Sequence, residues 1–256
     1  MKLLFIGDIF GGPGREKIKT YLPGIIEKED IFFTIVQGEN LAGGIGITQA
    51  TAKEMFESGV DCITTGNHVW KHKEILGYID HEMRLLRPAN FPEGVPGRGY
   101  CVYEKKDAKI GVINLQGRVF MKPLDDPFRI SEEIIEEMTR QTPNIFIDFH
   151  AEATSEKRAL GLYLAGKVTG VIGTHTHVQT ADEQIINGKT AYITDVGMVG
   201  SIGSIIGNRK EEIIEHFVLS VPRKFVPEKK NIVANSVIVD FDEKTGDATS
   251  ITRYNF

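Results

Sequence analysis

The sequence predicts an α/β fold in a single domain. Short β-rich runs alternate with longer helical patterns from the N-terminus onward, and the early strand-like runs are apolar almost throughout. The C-terminal stretches instead alternate apolar and polar side chains. Strand–helix alternation favours a parallel sheet with helices on both faces, and the alternating stretches extend it with antiparallel strands. At 256 residues the chain is near the upper size that one hydrophobic core organises, and no repeat, low-complexity tract or linker divides it. Residues 1–256 are therefore read as one domain.

Taken in order, residues 2–6, 31–37 and 60–64 read as buried strands. Between them, residues 15–29 carry Ile18, Leu22, Ile25 and Ile26 at helical spacing, and residues 48–58 carry Ala52, Met55 and Phe56. Pro23-Gly24 is expected to break or kink the first helix. Thr48 is the expected N-cap of the second, and Gly59 its stop. Residues 100–103 and 110–114 flank the polar stretch 104–109 as in a hairpin, with Glu104–Asp107 as a solvated turn. A helix at 130–140, a strand at 144–149, a helix at 155–165 and a strand at 170–172 follow. Residues 183–194 read as a hairpin turning at Asn187-Gly188, a strong type I′ signal. Residues 232–241 read as one alternating strand, with 248–254 as its partner.

Composition excludes several classes. Hydrophobic residues at 41% and charged residues at 25% are ordinary for a globular domain and argue against a disordered chain, a collagen or a membrane bundle. Cys62 and Cys101 are too few for a disulfide framework or a four-thiolate zinc site. A net charge of −5 leaves no basic footprint, so stable nucleic-acid binding is not expected. The apolar start meets Gly7-Asp8 too soon to be a signal peptide, and no stretch approaches the roughly 18–20 apolar residues of a membrane span. A cytoplasmic protein without membrane association is the expectation, and homo-oligomerisation is left open.

The chemistry collects where strands end. The first three strands run into Gly7-Asp8, Gly38-Glu39-Asn40 and Gly66-Asn67-His68; later ones deliver Phe149-His150 and Gly173-Thr174-His175-Thr176-His177. In open α/β sheets ligands bind at the carboxyl ends of strands, so five segments aim Asp, Glu, Asn or His at one rim. Carboxylate, amide oxygen and imidazole together suit manganese, iron, cobalt or zinc. If extended, the segment His175-Thr176-His177 sets two imidazoles on one face. Glu39 is suited to bridge two cations about 3.5–4 Å apart. Rival motifs fail: Pro13 stands where a P-loop needs Lys, Lys17 where a dinucleotide fingerprint needs Gly, and His150-Ala151-Glu152 lacks the paired cysteines of a zinc deaminase. His72, His81 and His216 have no motif partners. Trp70 and Phe120 are open to two readings, pocket lining or core packing.

The ordered set Gly7-Asp8, Gly38-Glu39-Asn40, Gly66-Asn67-His68, His150 and Gly173–His177 resembles the calcineurin-like metallophosphoesterase superfamily. Phe10 stands where the usual first motif has His, and Glu39 where the bridging residue is Asp; both departures match a bacterial YmdB-like subgroup. The resemblance implies an α/β/β/α sandwich of two sheets with a dinuclear centre at their carboxyl-end rim. It implies that Asp8, Glu39, Asn40 and His177 hold one metal and that Glu39, Asn67, His150 and His175 hold the other. It further implies a phosphodiesterase acting on cyclic nucleotides, particularly 2′,3′-cyclic ones, with iron or manganese in the site and zinc or cobalt as substitutes. In such a reaction His68, next to the ligand Asn67, is placed to protonate the leaving ribose oxygen. The rival reading is a metal-dependent regulatory protein that senses a nucleotide with little turnover.

Overall fold

In the computed structural model, which describes residues 1–256, the first apolar run forms β1 (Lys2–Ile6), followed across Gly7 by the two-residue β2 (Asp8–Ile9). Helix α1 (Gly11–Glu29) begins four residues before the expected start at Arg15 and runs unbroken through Pro23. Pro23 and Lys19, the residue whose carbonyl loses its donor, are both exposed. Water can satisfy that carbonyl, so the proline does not end the helix. β3 (Phe33–Gln37) is buried at every position. α2 (Gln49–Glu57) starts as expected: the Thr48 hydroxyl accepts the Thr51 N–H while the Thr51 hydroxyl accepts that of Thr48, a reciprocal cap. β4 (Cys62–Thr64) and the single turn α3 (Ile75–Tyr78) follow.

β5 (Tyr100–Lys105) and β6 (Ala108–Gln116) pair as far as Lys105 with Ala108, so the hairpin turns on Lys106-Asp107 alone and not on a longer polar loop. Both Asp61 carboxylate oxygens accept from the Lys105 ammonium at 2.7 Å, which keeps that end of the strand in place. α4 (Pro127–Met138) is capped by the Asp126 side chain, which accepts the Phe128 N–H, with Pro127 in the first turn. β7 (Ile145–His150), α5 (Thr154–Tyr163) and β8 (Gly170–Thr174) match the expected order. β9 (Gln184–Ile186) and β10 (Thr190–Ile193) turn at Asn187-Gly188, both with positive φ.

Two later elements, β11 (Met198–Ser201) and α6 (Lys210–Leu219), are absent from the sequence reading. Ile213 is the one buried residue of α6; Ile214, Phe217 and Val218 recur at helical spacing but are exposed. The expected strand over 232–241 is two strands, β12 (Ile232–Ala234) and β13 (Ser236–Phe241), before the closing β14 (Ala248–Arg253). The break at Asn235 faces the break at Gly7: the Asn235 carbonyl accepts the Gly7 N–H at 3.0 Å, and the Asn235 N–H donates to Met198 at 3.0 Å. Gly7 lies so close to Gly197 that a Cβ there would sit 2.1 Å from the Gly197 oxygen. Only glycine fits, and the crossing chains peel away into a separate small sheet.

The strands form a five-stranded sheet, β14-β13-β1-β3-β4, a six-stranded sheet, β5-β6-β7-β8-β10-β9, and the three-stranded β12-β11-β2. Alternation along β1 separates two cores. Leu4 and Ile6 pack with Ile18, Leu22 and Met55 of the helical layer, while Leu3 and Phe5 pack with Val112, Phe146 and Ile193 of the second sheet. Ile147 and Phe149 complete the far side against Ile135 and Leu160 of the other helices. The layers run α/β/β/α, as the resemblance implies, with the third sheet as an addition. β1, β3 and β4 are mutually parallel, as are β6, β7, β8 and β10, so each set ends at one rim. No helix is long and apolar enough to cross a membrane.

Candidate metal centre

At that rim the polar strand-end residues converge from all three sheets. The His150 Nε2 atom lies 3.2 Å from Glu39 Oε1, 3.2 Å from Asn67 Oδ1 and 3.0 Å from His175 Nδ1. Glu39, His150 and His175 offer ligand atoms all within 4.8 Å of one another. Beside this group, His177 Nε2 lies 3.6 Å from Asp8 Oδ1 and 3.2 Å from the Asn40 amide nitrogen, which is 3.4 Å from Glu39 Oε1. Glu39 thus stands between two donor clusters. Gly66 makes room for them, since a Cβ there would fall 2.2 Å from His150 Cδ2 and 2.5 Å from Glu39 Oε2.

Each imidazole has one nitrogen turned to the centre and the other held by an acceptor. His150 Nδ1 lies 2.9 Å from the Thr174 hydroxyl, which donates to Asp148 at 2.7 Å. His175 Nε2 meets Glu152 at 3.0 Å, and His177 Nδ1 meets the Ile206 carbonyl at 3.0 Å. At His175 and His177 such partners fix the tautomer and leave the inward nitrogen free as a ligand, while the outer nitrogen of His150 is shared between the Thr174 hydroxyl and the Gln37 amide. Asp8 Oδ1 is buried with no hydrogen-bond partner, a cost that a cation removes. These are the features of a site built for borderline metals.

The charge balance points the same way. Burial works to raise the Asp8 carboxyl, but His177, 3.6 Å away, with the charge of His150 behind it, holds it below its usual range. Burial likewise opposes ionisation of Glu39, yet His150 and His68 keep it well below. Burial disfavours a charged His150, but Glu39 beside it lifts its pKa to about 9. His175 is pressed down to about 3, by burial first and then by the His150 charge. Two buried carboxylates this ionised need cationic neighbours, which protons on imidazole or metal ions can provide.

The structure gathers every residue singled out from the sequence: Asp8, Glu39, Asn40, Asn67, His68, His150, His175 and His177. It corrects one detail of how they arrive. The His175–His177 segment is not extended; His175 has φ +101° and His177 φ +65°, so each ring turns to a different cluster. The cost of that backbone is offset by Asp195, which accepts from Thr176 N at 3.0 Å, Thr176 Oγ1 at 2.8 Å, Gly197 N at 2.8 Å and the buried Lys157 ammonium at 2.7 Å. Gln37 was missed as well; its carbonyl accepts the Glu39 N–H at 2.8 Å while its amide nitrogen sits 3.0 Å from His150 Nδ1. Gln37 and Asp148 were visible as polar residues inside apolar strands, Glu152 only within the rejected His150-Ala151-Glu152 motif, whereas Lys157 and Asp195 gave no local signal.

Asn40 presents its amide nitrogen to His177 and its oxygen to His68 Nδ1 at 3.1 Å. Turning the amide over exchanges these contacts and offers oxygen to the Asp8–His177 cluster. Asn40→Ala is therefore expected to lower metal content or affinity by about 10-fold or more, comparable to the loss of a ligand-shell partner. Elemental analysis of the variant checks this, and two ions bound as tightly as before would remove Asn40 from the ligand set.

His68, exposed by 28% at its side chain, and His175 line two adjoining cavities of about 500 Å³ each. The centre thus opens to solvent on two sides of the same imidazole.

Comparison with known proteins agrees with this geometry. The chain is 49% identical over 253 residues to a 2′,3′-cyclic-nucleotide 2′-phosphodiesterase of Bacillus subtilis (strain 168), covering 99% of this chain and 96% of that one. A crystal structure of a phosphatase from Mycoplasma pneumoniae superposes with a TM-score of 0.93 at 35% identity, covering 100% of this chain and 93% of the other. A hypothetical protein from Thermus thermophilus gives the same TM-score of 0.93 at 37% identity, over 100% and 99% of the two chains. The family model described as YmdB-like protein matches residues 4–254, and on these grounds the chain belongs to the YmdB-like protein family.

Proposed function

We propose that the protein is a metal-dependent phosphodiesterase that opens 2′,3′-cyclic nucleotides to nucleoside 3′-phosphates. The observation that carries this reading is the set of three imidazoles, each pinned on its outer nitrogen and turned inward toward Asp8, Glu39, Asn40 and Asn67, with His68 at the open edge. In this reading one cation is held by Asp8, Glu39, Asn40 and His177, and a second by Glu39, Asn67, His150 and His175. Bound there, two cations supply charge neutralisation for the phosphodiester and a water of lowered pKa.

The chain's own groups do the rest. His68 Nδ1 is occupied, 3.2 Å from Glu39 Oε1, which leaves Nε2 to deliver a proton. As water adds to phosphorus and the P–O2′ bond breaks, the ribose oxygen takes that proton and leaves as a hydroxyl. The His68 backbone N–H donates to Glu39 Oε2 at 3.0 Å, so the proton donor and the bridging carboxylate share one support. Imidazole, amide and carboxylate without thiolate suit manganese, iron, cobalt or zinc, and among these the family resemblance favours iron or manganese. Cys62 and Cys101 are both free and buried, in keeping with a reducing cytoplasmic setting.

The test is elemental analysis of the purified protein alongside hydrolysis of 2′,3′-cyclic AMP, 3′,5′-cyclic AMP and p-nitrophenyl phosphate, with and without chelator. The expected result is two metal ions per chain and chelator-sensitive turnover favouring the 2′,3′-cyclic substrate. A metal-independent activity, or a preference for the monoester, sinks the reading.

A further inference from the structure

We propose that the cavity between the loop after β6 and the segment after β4 is a nucleoside subsite shaped for a 2′,3′-cyclic nucleotide bearing a further phosphate on its 5′ side, as at the 3′ end of an oligoribonucleotide. The proposal rests on the phosphodiesterase reading above and names its substrate class.

The two cavities that meet at His68 and His175 differ in chemistry. One is lined by Phe10, Ile45, Ile206 and Phe225, has Glu39 and Glu152 among its walls, and has no lysine or arginine. The other is lined by Trp70, Lys71, Phe120, Met121 and Lys122, together with Asn67, His68 and His175. A substrate with an aromatic base and a second anion matches the latter alone. The lysines that form ion pairs are Lys28, Lys105, Lys157, Lys167 and Lys189; Lys71 and Lys122 are not among them and are exposed. Two uncommitted ammonium groups beside a metallophosphoesterase centre suit a phosphate that the centre itself does not hold.

Phe120 is the second observation. The residue is 89% exposed and its backbone has φ +61°, a conformation that branched and bulky residues rarely adopt. The loop that carries it is nonetheless fixed. The Glu156 carboxylate accepts the Arg118 and Val119 N–H groups at 2.9 and 3.2 Å. The buried Asn90 side chain joins the loop's two ends, donating to Gln116 O at 2.8 Å and Asp125 O at 3.0 Å and accepting the Gln116 N–H at 2.9 Å. A large apolar ring held in water by a clamped, strained backbone is the arrangement of a ligand platform. Trp70 forms a firmer wall, half-buried with its ring edge-to-face on Phe91 at 5.8 Å. Of the two readings the sequence left open, Phe120 is thus pocket lining and Trp70 serves both pocket and core.

The chemistry at the cyclic phosphate is unchanged. Water adds to phosphorus, the P–O2′ bond breaks, O2′ takes the proton from His68, and a 3′-phosphate remains while the 5′-phosphodiester stays intact. A base stacked on an aromatic face gains roughly 5- to 150-fold in binding, and Phe120 supplies that gain for any of the four bases.

The experiment measures kcat/KM of the metal-loaded protein on three substrates: adenylyl-(3′→5′)-adenosine 2′,3′-cyclic phosphate, 2′,3′-cyclic AMP and glycerol 1,2-cyclic phosphate. The wild type is expected to prefer the dinucleotide to 2′,3′-cyclic AMP by about 10-fold or more, and Lys71→Ala with Lys122→Ala to bring that ratio close to one. Phe120→Ala is expected to lower the ratio of 2′,3′-cyclic AMP to glycerol 1,2-cyclic phosphate by about 10-fold, and Phe120→Trp to restore it. A wild-type ratio near one, a preference that survives the double lysine substitution, or an unchanged ratio in Phe120→Ala overturns the subsite. Failure of the wild type to hydrolyse any of the three overturns the phosphodiesterase reading itself and the subsite with it.

Discussion

Glu39→Gln is expected to leave a folded protein that binds fewer than two metal ions and turns over 2′,3′-cyclic AMP on the order of 10⁴-fold more slowly, about 5 kcal/mol of lost transition-state stabilisation. The substitution keeps the shape of the side chain and removes its charge. That charge stands between the two donor clusters, with Oε1 at 3.2 Å from both His150 Nε2 and His68 Nδ1. Cations a few ångströms apart repel one another strongly, and a shared anion offsets the repulsion. Although Glu39 is buried, its carboxyl is held well below the usual range against the penalty of burial, so the negative charge is present at neutral pH. Metal analysis and kinetics on the same preparation test the claim together. Two retained ions with near-wild-type turnover would falsify the bridging role.

His68→Ala, by contrast, is expected to keep both ions and lose roughly 10²–10⁴-fold in kcat, the usual range for a general acid. The metal content is preserved because the contact from residue 68 to Glu39 Oε2 is made by its backbone N–H, at 3.0 Å, which alanine retains. The loss is expected to shrink on bis(p-nitrophenyl) phosphate, whose phenolate departs without a proton. An equal loss on both substrates would show that His68 acts by another route, such as holding Asn40, whose carbonyl oxygen sits 3.1 Å from its ring. Read side by side, the two substitutions separate loss of metal from loss of proton transfer.

Much of the centre was legible in the sequence because its signal is local. A polar residue placed directly after an apolar strand needs no knowledge of the rest of the chain, and parallel pairing brings those strand ends to one rim. Asp8, Glu39, Asn67 and His150 all announce themselves this way. What was hidden depends on distant partners. Asp195 shapes the His175–His177 turn from far along the chain, and Glu152 was noted only inside a motif that failed. The third sheet follows from the contact of Gly7 with Gly197 and Asn235, which no local pattern encodes. Pro23 misled because whether a proline ends a helix depends on whether the freed carbonyl reaches water.

The convergence of the proposed ligands from separate sheets has a consequence for the molecule as a whole. Asp8 belongs to the small sheet, Glu39, Asn40 and Asn67 follow strands of the five-stranded sheet, and His150 ends and His175 follows a strand of the six-stranded one. An ion shared by such residues would act as a rivet between layers that also meet through apolar packing and a few polar contacts, among them Lys105 with Asp61 and the Asn114 amide with the Thr65 carbonyl. By mass action, a cation at a hundredfold excess over its dissociation constant adds about 2.7 kcal/mol to the folded state. If the site holds its ions in this way, the availability of metal would set how firmly the sheets hold together as well as whether the site can work.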